Sequence, residues 1–311
     1  MSKDSITTAL PLSRLRRRPL PLRTREAVTA YLFLLPNIVG FAGFTAFPVV
    51  AALLLGFVKW DLLSPPHFVG LDNYVRLFTI DKLFSKVVFN TVYFTLGSVP
   101  LGFVCSLGLA LAMNQKLRGI VFYRAAFFIP VISSGVAISL LWVWIYHPYF
   151  GLLNGLLSFI GIRGPAWLAD PKWAMPAIII MSVWKNMGYN MMIFLAGLQG
   201  IPQHLYEAAE IDGAGVWSRF QHVTIPMLTP TIFFVLVMSI INSFQVFESS
   251  LIMTNGGPAD ATHTMVLYIY NNAFVWFKMG YAAAIAWVLF AILFVATMAQ
   301  MRLQREWVQY E

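Results

Sequence analysis

Long apolar runs separated by short polar connections dominate the chain. No Asp, Glu, Lys or Arg occurs in residues 27–58, 87–115, 125–146, 223–247 or 279–301. Each run exceeds the ~20 residues that an α-helix needs to cross the hydrocarbon core of a bilayer. A sixth stretch, 173–200, is uncharged except for Lys185. The pattern predicts an all-α membrane protein with six transmembrane helices in one membrane domain, residues 27–303, whose core covers 87–302. In the first connection, residues 68–78 have the apolar spacing of a short amphipathic helix lying on the surface. Asn255-Gly256-Gly257-Pro258 is a turn signal expected to stop the fifth helix.

Charge gives these helices a direction. Lys and Arg stay preferentially on the cytoplasmic side of a membrane protein. Six spans put thirteen of the 21 on the side of the termini and seven on the other, with Lys185 inside a span. Both termini are therefore expected in the cytoplasm. Residues 1–26 read as a basic cytoplasmic tail without a core of its own, and residues 304–311 as a second, short tail. The net charge of +8 is then a consequence of membrane orientation, and nucleic acid is not an implied partner.

Composition narrows the function. Charged residues make up 11% of the chain, against roughly a quarter in soluble domains, and the mean hydropathy is +0.72; lipid is the expected surrounding. The first apolar run is too long for the ~7–15-residue core of a cleaved signal peptide. One cysteine, Cys105, excludes an intrachain disulfide. His67, His147, His204, His222 and His263 are scattered over loops on opposite sides, which argues against a shared metal site. No G-x-x-x-x-G-K-[ST] phosphate loop occurs, nor any arrangement of nucleophile and base. The expectation is a protein that is not an enzyme and binds no cofactor.

Polar residues inside the spans mark a candidate substrate site. The fourth span carries Lys185, Asn186, Tyr189 and Asn190, with the two asparagines one turn apart on one face. The fifth carries Ser239, Asn242 and Ser243 at helical spacing, followed by Gln245 and Glu248. Two readings stay open: hydrogen-bonding groups facing a common cavity, or polar contacts that hold helices together. Lys185 calls for a cavity, an acidic partner or a second subunit around it, and Glu248 is either that partner or an outer-rim residue. Trp142, Trp144, Trp184 and Trp276 offer ring-stacking faces, although such residues are more often interfacial anchors or helix packing.

The connection between the fourth and fifth spans, residues 200–226, is the most informative loop. Pro202 suits the start of a short helix, Leu205, Ala208, Ala209 and Ile211 share an apolar side, and Gly213 suits its end. Asp212 is placed to cap a second short helix from Ala214. The expected product is a knob of small residues, Ala208, Ala209, Gly213 and Ala214, flanked by Glu207, Glu210 and Asp212.

Glu207-Ala208-Ala209, three residues, Gly213, nine residues and Val223-Thr224-Ile225-Pro226 resemble the EAA motif of ABC importer permeases, with Val223 and Ile225 standing for other apolar residues. Residues 68–78, Tyr123-Arg124 through Phe128-Ile129-Pro130, Glu210 to Ala214, Thr254 to Ala259 and Gly280 to Ala284 are similar to the carbohydrate branch, the maltose- and glycerol-3-phosphate-type first permeases. The resemblance implies a type I importer permease of the bacterial inner membrane. It implies a heterodimer with a second permease, two cytoplasmic ATPases that use ATP, and an extracytoplasmic solute-binding protein delivering a sugar or polyol phosphate. Residues Glu207 to Ala214 are then implied to couple to the ATPase. The alternatives are an importer of another solute, such as an amino acid, peptide or metal, and a self-sufficient secondary transporter. The coupling loop disfavours the second.

Overall fold

The computed structural model describes residues 22–115 and 118–307. The chain forms two units, residues 1–52 and 53–311. In the first, α1 (Leu22–Phe41) continues through a π-helical turn, Ala42–Ala46, into α2 (Phe47–Leu55), whose last three residues belong to the second. Pro48 has no N–H for the carbonyl one turn back, and the widened turn lies just before it. Of the tail expected over 1–26, residues 1–21 lie outside the described residues, and Leu22 already belongs to the helix.

The second unit opens with an antiparallel ribbon of β1 (Val58–Lys59) and β2 (His67–Phe68). The buried Asn73 amide donates to the carbonyls of Gly56 and Val58 at 3.0 and 3.1 Å, tying the ribbon to α3 (Asp72–Thr79). The surface helix expected over 68–78 is thus shorter at its start, because Phe68 pairs in the ribbon and Gly70 turns at φ +59°. Asp81 caps α4 (Lys82–Met113), its carboxylate accepting the Phe84 N–H at 3.0 Å.

The third apolar run is not one straight helix. It divides into α5 (Ile120–Ile132) and α6 (Gly135–Ile145), bent by 99° at extended Ser133 and Ser134. After α7 (Leu152–Phe159), Asp170 caps α8 (Pro171–Gly200) through the Lys172 N–H, with Pro171 in the first turn where no N–H is needed. Then follow α9 (Gln203–Ile211) and α10 (Val216–Arg219), which passes through a second π-turn, Phe220–Thr224, into α11 (Ile225–Phe244). Pro226 accounts for this turn as Pro48 does for the first. The fifth span ends at Phe244, ahead of the Asn-Gly-Gly-Pro signal. Three residues break it from α12 (Glu248–Thr254), and that helix is the one ended by Asn255 in a left-handed conformation. The chain closes with α13 (Met265–Tyr270), a π-turn over Asn271–Val275 and α14 (Met279–Trp307). Of the tail expected over 304–311, residues 304–307 extend α14 and 308–311 lie outside the described residues.

Helices α4 and α8 form the spine of this unit. Phe94 packs with Ile178, Ile179 and Met181 in one core, and Leu107 and Ala110 pack with Phe194, Leu195, Leu198 and Leu228 in another. The early part of α4 therefore meets the early part of α8, and late meets late: the two run parallel. A chain that traverses twice in the same direction must return between the traverses, so the bent α5–α6 pair crosses too. Five long apolar helices and this pair make six candidate spans. Lipid is as apolar as these side chains, so close packing and polar contacts rather than water exclusion hold the spans together.

Candidate functional site

Between α4, α6, α8, α11 and α12 lies a cavity of about 360 Å³. All seven polar residues singled out from the sequence line it: Asn186, Tyr189 and Asn190 from α8, Ser239, Asn242 and Ser243 from α11, and Gln245 at the break that follows. Their bonding differs. The Asn190 amide donates to Ser239 Oγ at 3.3 Å and the Asn186 amide to the Ser182 carbonyl at 2.9 Å. Ser243 is buried and donates to Thr95 Oγ1 on α4 at 3.0 Å, so it joins helices as well as bounding the cavity. Tyr189, Asn242 and Gln245 make no side-chain hydrogen bond among the described residues, leaving their polar atoms to the cavity.

Sequence reasoning missed Ser98 on α4, Ser139 on α6, and Ser182 and Ser249, which also line the space. Ser98 Oγ is buried without a hydrogen-bond partner among the described residues. The signal was present in the second apolar run, where Thr91, Thr95 and Ser98 follow helical spacing. None of Trp142, Trp144, Trp184 and Trp276 lines the cavity; Trp142 instead packs edge-on against Trp184 at 5.4 Å. The aromatic walls are Phe94, Tyr189 and Phe247.

The intramembrane charges pair with one another. Lys185 Nζ lies 3.7 Å from Glu248 Oε2, joining α8 to α12. Gly135, the first residue of α6, makes room for this pair, because a Cβ there would overlap the Glu248 carboxylate and the Lys185 ammonium.

At the far end of α8, the EAA segment forms α9 and the turn after it. Gly213 sits at φ +78°, a conformation costly for any other L-residue, and reverses the chain. Asp212 ends α9 and caps nothing: Gly215 precedes α10 without a side-chain bond, and α10 is the start of the fifth span rather than a separate surface helix. The expected apolar side also divides. Leu205 and Ala209 are half-buried, whereas Glu207, Ala208, Asp212, Gly213 and Ile211 are exposed, Ile211 to 86%, and Ala214 is half-buried. Glu210 bonds Arg219 at 3.1 Å. Glu207 has no partner among the described residues. Tyr206 Oη lies 3.1 Å from Thr224 Oγ1, fastening α9 to the root of α11.

At the start of α4, Asp81 Oδ2 accepts hydroxyls from both Tyr268 and Tyr281. Burial works against the ionised carboxyl, but the two hydroxyls and the Phe84 and Leu83 N–H groups outweigh it and hold Asp81 below its ordinary value. Lys86 and Asn90, one and two turns further along α4, donate to the carbonyls of Ala259, Asp260 and His263. The 255–270 segment is thereby fixed over the N-terminal end of α4.

Residues 98–308 match the family described as binding-protein-dependent transport system inner membrane component. The chain is 38% identical over 291 residues to the probable ABC transporter permease protein YesP of Bacillus subtilis (strain 168), covering 92% of this chain and 94% of that one. It is 38% identical over 285 residues to the lactose transport system permease protein LacF of Rhizobium radiobacter, covering 90% and 95%. Among solved structures, a chain of a bacterial ABC transporter involved in import of the acidic polysaccharide alginate superposes with a TM-score of 0.78 at 27% identity, covering 90% of this chain and 97% of that one.

Proposed function

From a chain that belongs to the family of binding-protein-dependent transport system inner membrane components, we infer the membrane-spanning permease of an ATP-driven importer of a sugar. One observation carries the substrate class: the cavity among the spans is lined by amides and hydroxyls, of which Tyr189, Asn242 and Gln245 make no side-chain hydrogen bond among the described residues. A sugar leaving water needs such replacements for its lost hydrogen bonds, and the relative named for lactose transport points to the same class. Asn186, Tyr189, Asn190, Ser239, Asn242, Ser243 and Gln245 are the proposed substrate contacts.

ATP is used by partner subunits and not by this chain, which takes no cofactor. Two cytoplasmic ATPases, a second permease and an extracytoplasmic solute-binding protein complete the proposed assembly in the inner membrane, with both termini of this chain in the cytoplasm. ATP-driven closure of the ATPases pushes on α9 and the turn at Gly213. Because α9 is fastened to the start of α11, the push rotates α11 and opens the cavity alternately to each side. Glu207, unpaired on the exposed face, and the small residues Ala208, Ala209, Gly213 and Ala214 form the contact surface, with Asp212 at its edge.

Affinity purification of the chain from its native membrane, followed by identification of the co-purifying subunits, tests this directly. Recovery of an ATPase, a second permease and a solute-binding protein that retains a sugar is the expected result. Sugar uptake by the chain reconstituted alone without ATP would overturn it.

A further inference from the structure

Whether the sugar is neutral or acidic turns on two side chains. Among the described residues lining the cavity, Lys185 and Glu248 are the only charged ones, and they face each other at 3.7 Å. Resting on the sugar-importer function, we propose that the cavity accepts uncharged sugars and that the Lys185–Glu248 pair excludes acidic ones.

The pair cancels its own charge, so the wall it forms is electrically neutral toward a ligand. A lone lysine in such a wall would draw a carboxylate or sulfonate; this one already has its carboxylate. The Glu248 side chain is also the more open of the two, 45% exposed against 21% for Lys185. An acidic sugar approaching Lys185 meets the like charge of Glu248 first, and taking Lys185 for itself would leave Glu248 unpaired. The two charged ends meet over Gly135, where an added side chain would have to displace them.

The remaining polar lining suits a neutral ligand in a second way. Asn186, Asn190, Asn242 and Gln245 each offer an amide donor and a carbonyl acceptor. Sugar hydroxyls, which both donate and accept, can use both. A carboxylate only accepts, and half of this lining would be turned against it. The volume of about 360 Å³ lies at the small end of ligand sites, which run from roughly 300 to 1,000 Å³, and fits one or two sugar rings rather than a long polymer.

The test uses the assembled transporter, this chain with its partner permease and ATPases, in lipid nanodiscs without solute-binding protein. Omitting the binding protein keeps its selectivity out of the measurement. Radiolabelled maltose and lactose serve as neutral probes and digalacturonate as the acidic probe, with retention measured by equilibrium dialysis at low salt. In the wild type at least one neutral probe is expected to exceed digalacturonate by roughly tenfold or more. Glu248→Gln leaves Lys185 uncompensated. It should cut that ratio by roughly tenfold, with the gained digalacturonate lost again as salt is added. Lys185→Gln combined with Glu248→Gln should restore the wild-type ratio. Equal or better retention of digalacturonate by the wild type overturns the proposal, as does an unchanged ratio in an assembled Glu248→Gln complex. If Glu248→Gln does not assemble, the wild-type ratio decides alone. Retention of no probe by any complex overturns the sugar function itself, a failure distinct from loss of charge selectivity.

Discussion

Asp81 is a single carboxylate serving three helices. It caps α4 and receives the hydroxyls of Tyr268 from α13 and Tyr281 from α14. Its titration should therefore be felt as stability. The folded-state value lies below the ordinary 3.8, so its contribution is complete above that pH and is lost as pH falls through the depressed folded value. Asp81→Asn keeps the shape but removes the charge, and should destabilise the assembled transporter by about 1–2 kcal/mol at pH 6. Thermal unfolding of the two proteins should converge as the pH falls below 3.8 and through the depressed folded value. No gap at pH 6, or a gap that persists unchanged once the carboxyl is protonated, would mean that its ionised form does not hold these helices. Asp81 was invisible as a hub from the sequence, because both tyrosines lie more than 180 residues away along the chain.

Among the elements, α9 and the turn after it make the sharpest distinction between neighbouring residues. Glu207 and Glu210 both flank the small-residue knob and are both exposed, but Glu210 is taken up by Arg219 at 3.1 Å while Glu207 has no partner among the described residues. Glu207→Lys should abolish uptake and ATPase co-purification while the chain still inserts in the membrane. Glu210→Ala, which breaks only a solvent-exposed pair worth about 0–1 kcal/mol, should retain both. Gly213→Val forces a branched side chain into a left-handed conformation, at a cost of roughly 1–2 kcal/mol, and should behave like Glu207→Lys. Wild-type uptake in both Glu207→Lys and Gly213→Val would remove α9 from the coupling role. The residues of this loop were legible because Pro, Gly and small-residue spacing act locally. The mistaken cap at Asp212 and the mistaken second surface helix share one cause: the fifth span begins at Val216, earlier than its charge-free run at 223, because half-buried Arg219 and exposed His222 sit on its first turns. In the same way the fourth and fifth polar faces were readable from helical spacing, whereas the Lys185–Glu248 pair needed the break after Phe244 that brings α12 back to α8.

For the whole molecule the decisive element is the bent α5–α6 pair, since hydropathy alone counts it as a span and a 99° bend also fits a loop that enters and leaves on one side. Packing separates these. The parallel pairing of Phe94 with Ile178 and of Leu107 with Phe194 requires an odd number of crossings between the start of α4 and the end of α8. Position 64, exposed in the connection before α4, and position 203, exposed at the start of α9 just after α8, must then lie on opposite membrane faces. In a Cys105→Ser background, which removes the single native thiol, Ser64→Cys and Gln203→Cys report this with a membrane-impermeant maleimide. On the proposed orientation, with both termini in the cytoplasm, the 203 position faces the cytoplasm. Ser64→Cys should therefore label in intact spheroplasts, and Gln203→Cys only after permeabilisation. Labelling of both from outside would make α5–α6 re-entrant and put α9 beyond reach of any cytoplasmic ATPase. The coupling role and the six-span topology would then fall together, because α9 can receive a cytoplasmic push only if the bent pair crosses.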